Sequence, residues 1–336
     1  LRVIGLDAVD VGGGAAGRNG GFLLAGTYDF YHDAIRRHGH ERARAIYGAT
    51  IAEMQRIAQE APGTVRFVGS KRLAASEAEV VDCRAQYEAL RADGWPCEWY
   101  DGADGQGLFL PTDGAFNPLM RCRVLAATAM GNGASLFGHT PVSAIRGTAV
   151  HTPGGVVHAA RVFVAVDGRL DVLLPELAGQ VRTARLQMLA TEPTSEITVP
   201  CPVYYRDGYE YWQQLPDGRI AIGGFRDKGG PDEWTADGSP SGIVQRELER
   251  FLREHLGVQA AITHRWGAPV GYTPTGLPVI KQVRENVWAL GGYSGTGNVI
   301  GALAARAVVA ATVDGDATVL QLLAGPGRYD DHGAAA

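Results

Sequence analysis

The sequence predicts an α/β chain, α+β overall: a Rossmann-like domain joined to a domain built on an antiparallel sheet. Three observations point there. An apolar strand, Leu1 to Ala8, runs into the glycine-rich stretch Gly12 to Gly21. A second strand, glycine turn and apolar helix follow one another from Val287 onward. Between them, residues 181–193 and 203–225 are β-rich.

The chain has 336 residues, enough for two subdomains with real cores. Hydrophobic residues make up 46% and charged residues 20%, a globular balance. The formal net charge of −5 gives no case for nucleic acid or an anionic membrane. The longest apolar runs, near Val162 and Ala302, read as too short to span a bilayer. The cysteines Cys83, Cys97, Cys122 and Cys201 lack metal-ligand spacing, and a reduced cytoplasmic setting is the expectation. The 46 glycines are about twice the usual share, which suits a fold that lies close to a large ligand.

The stretch Gly12-Gly13-Gly14-Ala15-Ala16-Gly17-Arg18-Asn19-Gly20-Gly21 organises the reading. Glycines behind an apolar strand let a backbone approach phosphates and rings. Taken alone, Gly12, Gly14 and Gly17 fit G-x-G-x-x-G, an NAD-type fingerprint. That fingerprint needs a helix at its third glycine, and Gly20-Gly21 disfavours one. Alternatively, Asp7 ends a second strand as a ribose carboxylate, and the glycines form the loop after it.

Along the chain, Thr27 to Glu60 has helical periodicity, with Tyr31, Ile35, Ile46, Met54 and Ile57 inward. His32, His38 and His40 lie near one another without metal spacing. Thr64 to Ala75 reads as a strand pair turning at Gly69-Ser70-Lys71. Ser76 caps a helix to about Ala92. Trp95 to Asp113 reads as loop. A helix from Asn117-Pro118 to about Met130 precedes short strands at 133–137, 141–145 and 156–158, and a buried strand at 161–168. Tyr204, Tyr205, Tyr209, Tyr211 and Trp212 are mostly sheet and core residues, with one or two facing a substrate. Leu215 to Arg219 is a hairpin turn. Ser241 to Leu256 is an amphipathic helix with Ile243, Leu248, Phe251 and Leu252 inward.

Four stretches together resemble one family. They are Gly-Arg-Asn-Gly-Gly at 17–21, the strand ending at Asp167-Gly168, Trp266-Gly267 through Thr273-Pro274-Thr275-Gly276-Leu277-Pro278, and Gly291-Gly292-Tyr293-Ser294-Gly295-Thr296-Gly297-Asn298. In that order they resemble the D-amino-acid oxidase superfamily of FAD-dependent oxidoreductases, and most the branch acting on γ-glutamylputrescine and related amines. Ala16 stands where Ser is usual, Asp7 where Glu is usual, and Asp167 in an Asn position.

The resemblance implies non-covalent FAD, since no Cys follows Cys201. It implies cofactor contacts at Asp7, Gly14, Gly17, Arg18, Asn19, Gly20, Gly21, Val142, Asp167, Gly292, Gly295, Thr296, Gly297 and Asn298. Tyr293, Tyr211 and Arg226 are the candidate catalytic residues, and no metal is expected. The FAD-binding domain is expected at 1–65, 114–180 and 264–336, and the substrate domain at 66–113 and 181–263. Relatives that oxidise free amino acids clamp the carboxylate with an Arg where this chain has Val270, so the resemblance implies oxidation of a small-molecule amine by hydride transfer to flavin N5. The family's first strand, G-x-G-x-x-G turn and first helix precede Leu1, so an incomplete chain that binds FAD weakly or not at all is expected. Two alternatives stand beside this: a non-catalytic remnant, and an NAD-type protein using Gly12 to Gly17.

Overall fold

The computed structural model describes residues 1–324. Its largest element is an eight-stranded sheet. The strands run in the order Ile262–Tyr272, Arg182–Pro193, Arg219–Gly224, Glu210–Gln214, Val203–Tyr205, Ser70–Leu73, Gly105–Leu110 and Glu98–Gly102. Arg182–Pro193 pairs antiparallel on both sides, which explains its long buried run from Met188 to Ala190. The hairpin at 215–219 joins its two strands as expected. The helix Gly242–Arg250 and its continuation to His255 cover one face, burying Val244, Leu248 and Leu252 against Leu189, Trp212 and Ile222. Ile243 is 47% exposed, so the helix is turned by about one residue from the expected stripe. Val244 takes the inward place.

Four smaller sheets lie beside it, the last of them Ala144–Arg146, Ala149–Thr152 and Gly155–His158. Ile4–Leu6 runs parallel to Ser135–Phe137. Val162–Val164 runs parallel to Val287–Gly291, which also pairs with Val279–Arg284. Phe22–Leu23, Gly114–Phe116 and Val65–Arg66 form the third. Ile4–Leu6 and Val162–Val164 each have a strand partner on one side among the described residues. Val162 and Val164 are buried, but Phe163 is 41% exposed. The expected buried strand is therefore a sheet edge with one open face.

The local signals fare unevenly. Ser76 accepts the Glu79 N–H at 3.3 Å and the Glu79 carboxylate accepts the Ala75 N–H at 2.9 Å, a reciprocal cap. Asn117 accepts the Met120 N–H at 3.0 Å and starts the helix Pro118–Gly131. The helical stretch at 27–60 is two helices, Tyr31–His38 and His40–Glu60, because Gly39 at φ 84° breaks it. Val65–Arg66 and Ser70–Leu73 do not pair with each other; they join different sheets. Residues 98–110, expected as loop, form a hairpin that buries Leu108. Gly105 at φ 129° and Gly107 at φ 159° allow its turn, which reads as loop composition in sequence.

The helical run Gly297–Asp314 is long and apolar enough by composition to cross a membrane, which corrects the expectation from run length. In the structure its Val299, Ile300, Leu303, Ala304, Ala307 and Val308 are core residues.

Asp113 ties three of these pieces. Its carboxylate, 1% exposed, accepts the Ser70 hydroxyl at 2.6 Å and the Ala25 N–H at 3.1 Å. Burial pushes its pKa up to about 7, against the pull of those two bonds. The folded protein therefore holds this proton where an unfolded chain, titrating near pH 4, releases it. Its stabilising effect is complete below about pH 4 and is lost as pH rises through about 7. Asp113→Asn keeps the size and the Ala25 contact, and its Nδ2 can donate to Ser70 Oγ in place of accepting from it. Urea unfolding between pH 4.5 and 7.5 should show a flatter stability profile in this variant than in the wild type. Parallel profiles would contradict the assignment.

Candidate active site

The two glycine turns, 279 residues apart in sequence, meet through a reciprocal amide pair. Asn19 Nδ2 donates to Asn298 Oδ1 at 3.0 Å, and Asn298 Nδ2 donates to Asn19 Oδ1 at 3.1 Å. Each amide is used further. Asn19 Nδ2 also reaches the Ala15 and Ala16 carbonyls, and Asn19 Oδ1 accepts the Gly21 N–H at 2.8 Å. Asn298 Nδ2 donates to the Phe22 carbonyl at 3.0 Å. The helix after Gly14 lasts one turn, Ala15–Arg18, and the chain then extends. It is fastened from the large sheet as well: Trp266 Nε1 donates to the Arg18 carbonyl at 2.8 Å, and the Gln213 amide donates to the Gly20 carbonyl. A side chain on Gly21, at φ 70°, would collide with the Phe116 carbonyl.

The second turn is held by Asp167. Its carboxylate accepts the Gly271 N–H at 2.8 Å and the Tyr293 N–H at 3.1 Å. Burial raises its pKa and the backbone N–H groups oppose that rise. Asp167 has φ 48°, a left-handed conformation that short polar side chains tolerate. A Cβ on Gly271 would stand 2.8 Å from Gly168 Cα, so glycine there lets two strand ends touch. Ser294 N–H donates to the Gly271 carbonyl at 2.8 Å and Thr296 Oγ1 donates to the Tyr293 carbonyl at 2.7 Å. The helix begins at Gly297, and its first N–H groups have no acceptor within the helix.

Both turns open on one cavity of about 2030 Å3, larger than an ordinary small-molecule pocket of about 300–1,000 Å3. Along one wall stand Tyr28, Tyr204, Tyr211, Tyr272 and Tyr293. Tyr204 stacks on Tyr211 with centroids 6.1 Å apart, and Tyr28 meets Tyr272 edge-on at 6.2 Å. Burial pushes the Tyr204 phenol up to about 12, and raises Tyr211, Tyr272 and Tyr293 further. All four are neutral hydroxyls at physiological pH. Pro269 and Val270 complete this side. Ile4–Leu6 and Val162–Val164, each with a strand partner on one side among the described residues, also line the cavity.

Of the residues expected at the cofactor, Asp7, Gly14, Arg18, Asn19, Gly20, Val142, Asp167, Gly295, Thr296, Gly297 and Asn298 line this cavity. Gly17, Gly21 and Gly292 stand behind the lining; backbone carbonyls fill the place of a Cβ at the first two, and the Thr273 and Val181 side chains do so at Gly292. Tyr211 and Tyr293 line it; Arg226 lies beyond Tyr272, its guanidinium 5.2 Å from that ring. Asp7 sits at the end of its strand and accepts the Val9 N–H at 3.0 Å. Tyr28 and Tyr272 were not singled out by the sequence reading; Tyr272, inside the third stretch, carried the one available signal. His32 Nε2 lies 2.9 Å from Asp82, which is engaged by Arg72 at 2.6 Å. The four cysteines are free.

Comparison with known proteins decides the family. A family model described as "DAO: FAD dependent oxidoreductase" matches residues 1–311. The chain belongs to the DAO family of FAD-dependent oxidoreductases. Among its relatives, γ-glutamylputrescine oxidoreductase of Escherichia coli is 28% identical over 344 residues, covering 94% of this chain and 78% of that one. Probable oxidoreductase OrdL of Rhizobium meliloti is 26% identical over 324 residues, covering 87% and 73%. Glycine oxidase from Geobacillus kaustophilus has the same fold, with TM-score 0.77 at 20% identity over 94% of this chain and 88% of that one. L-proline dehydrogenase from P. horikoshii follows at TM-score 0.71 and 17% identity, covering 95% and 94%. The DAO-family cofactor is FAD, so the NAD reading of Gly12 to Gly17 falls; the one-turn helix after Gly14 offers little dipole for a pyrophosphate.

The residues present fit a flavin dinucleotide. The cavity is long, its two glycine turns leave room for a ring system, and a helix start faces it. The Asn19–Asn298 pair should behave as one unit. Asn19→Ala and Asn298→Ala should each cost about 1–3 kcal/mol in urea unfolding, and the double variant much less than the sum. Additive losses would show that the amides act separately.

Proposed function

We propose that this DAO-family enzyme oxidises the C–N bond of an amine rather than of a simple α-amino acid. The observation that carries this is the wall nearest the glycine turns. Strand Ile262–Tyr272 presents Pro269, Val270 and Tyr272 there, and Glu210–Gln214, three strands along the same sheet, adds Tyr211. None of these offers the forked cationic donor that a carboxylate next to the reacting carbon requires. Neutral phenols on a dry wall suit an uncharged amine, whose nitrogen lone pair must be free for oxidation.

FAD would supply the two-electron acceptor for the amine, with the negative charge of its reduced ring stabilised at the second turn, Gly295 to Asn298. The residues of this chain supply the setting. The helix start at Gly297 and Asn298 directs N–H groups and a positive dipole end toward that charge. Asn19 fixes Gly20 and Gly21 opposite. Tyr211 and Tyr293 hold protonated hydroxyls that can orient the amine. In this reading the FAD-binding unit is assembled from 1–65, 114–180 and 264–336, and the substrate unit from 66–113 and 181–263.

The test is reconstitution. With FAD in excess, anaerobic γ-glutamylputrescine or a simple alkylamine should bleach the flavin band of the 336-residue protein, and glycine or alanine should not. Bleaching by α-amino acids alone would overturn the substrate assignment.

A further inference from the structure

One cation that lines the cavity is out of balance with its surroundings. Arg121 Nε is buried with no hydrogen-bond partner, and among the described residues the guanidinium has no carboxylate partner. The carboxylates close enough to act on its charge are Glu53 and Glu60, and Arg306 takes both. Glu53, 1% exposed, accepts Arg306 Nε at 2.8 and 3.1 Å, and Glu60 accepts Arg306 Nη2. Arg121 meets instead the Phe116 ring, 5.9 Å from Cζ, at the outer limit of a cation–π contact. Burial lowers its pKa from the ordinary arginine value. A buried guanidinium short of acceptors costs stability, and a bound anion offsets that cost.

The other guanidinium and ammonium groups in the lining differ. Lys71 binds Asp104 at 2.8 Å, and Arg72 binds Asp82 at 2.6 Å and Asp207 at 2.8 Å. Arg2, Arg18, Arg161 and Arg169 are exposed, where water solvates the charge.

The helix Pro118–Gly131 places Arg121 beside the glycine turns. Leu119 and Cys122 fill the space at Gly12, where a Cβ would stand 2.8 Å from Leu119 Cδ1 and 3.2 Å from Cys122 Cβ. Phe116 donates its N–H to the Gly21 carbonyl at 2.8 Å. It shares a core cluster with Val299, in the first turn of the helix that starts at Gly297. The guanidinium therefore stands by a residue fastened to the first turn and packed with the helix of the second. The tyrosine wall is reached through Phe22, whose ring meets Tyr204 and Tyr211.

We propose that Arg121 binds the diphosphate of the cofactor. The dinucleotide carries its formal charges on those two phosphates, and a guanidinium offers them a planar fork of N–H donors. The helix Ala15–Arg18, one turn long, adds little dipole of its own at Gly14. This inference rests on the family's cofactor and is independent of which C–N bond is oxidised.

The test is equilibrium binding to the 336-residue protein without substrate, read by flavin fluorescence and calorimetry. Wild type should prefer FAD to riboflavin, which has the ring and lacks the phosphates. Inorganic diphosphate should displace FAD and leave riboflavin bound. Arg121→Gln should cut the FAD-over-riboflavin preference about tenfold or more and abolish the effect of diphosphate; Arg121→Lys should lose less. The preference is a ratio within one variant, so a change in folded fraction cancels. The urea midpoint of flavin-free Arg121→Gln should equal or exceed that of wild type, because a buried unpaired charge has been removed. An unchanged preference in Arg121→Gln would overturn the proposal, as would a wild type that binds riboflavin as tightly as FAD. A lower midpoint in Arg121→Gln with equal loss of both flavins would assign the arginine to packing and overturn it too.

Discussion

The site depends on one pair of side-chain amides. Asn19 and Asn298 each offer one acceptor and two donors, and the structure uses both ends of both groups. A hydrogen bond of this kind contributes about 0.5–1.5 kcal/mol. Its larger effect is geometric. It holds the glycine loop, near the start of the chain, against the beginning of the helix that closes it. A carboxylate in either place would meet an acceptor with an acceptor, and an alanine would leave a turn free to swing. The position of Gly20 and the aim of the Gly297 helix start both follow from this contact.

Asp167 does the corresponding work between sheets. It joins the end of Val162–Val164 to Gly271 at the end of the large sheet and to Tyr293 beyond Val287–Gly291. The glycines at 168 and 271 let those backbones touch. The aromatic wall is thereby set at a fixed distance from the second turn. Tyr211 and Tyr272 arrive from two strands of the eight-stranded sheet, and Tyr293 from the turn itself.

Much of this was legible in the sequence where chemistry is local. Ser76 and Asn117 announce helix starts, and the hairpin at Pro216-Asp217-Gly218 announces its strands. The glycine stretches at 12–21 and 291–298 stand out because few other structures need that composition. Contacts between distant segments were not legible. Nothing near Val65 says that its partner is Phe116, and nothing near Asn19 names Asn298. The hairpin at 98–110 was hidden because its glycines read as loop. Ile243 and Val244 are neighbours, and only the packed helix decides which of them is buried.

The central claim is that the ring of the cofactor lies between the two turns that Asn19 and Asn298 hold together. A crystal structure of the protein loaded with FAD tests it directly. The account predicts electron density for the ring system in contact with the backbone of Gly20 on one side and Gly297 on the other, with Tyr211 and Tyr272 facing the open side of the ring. Ring density elsewhere in the cavity, with the Asn19–Asn298 pair intact and the turns unoccupied, would contradict it.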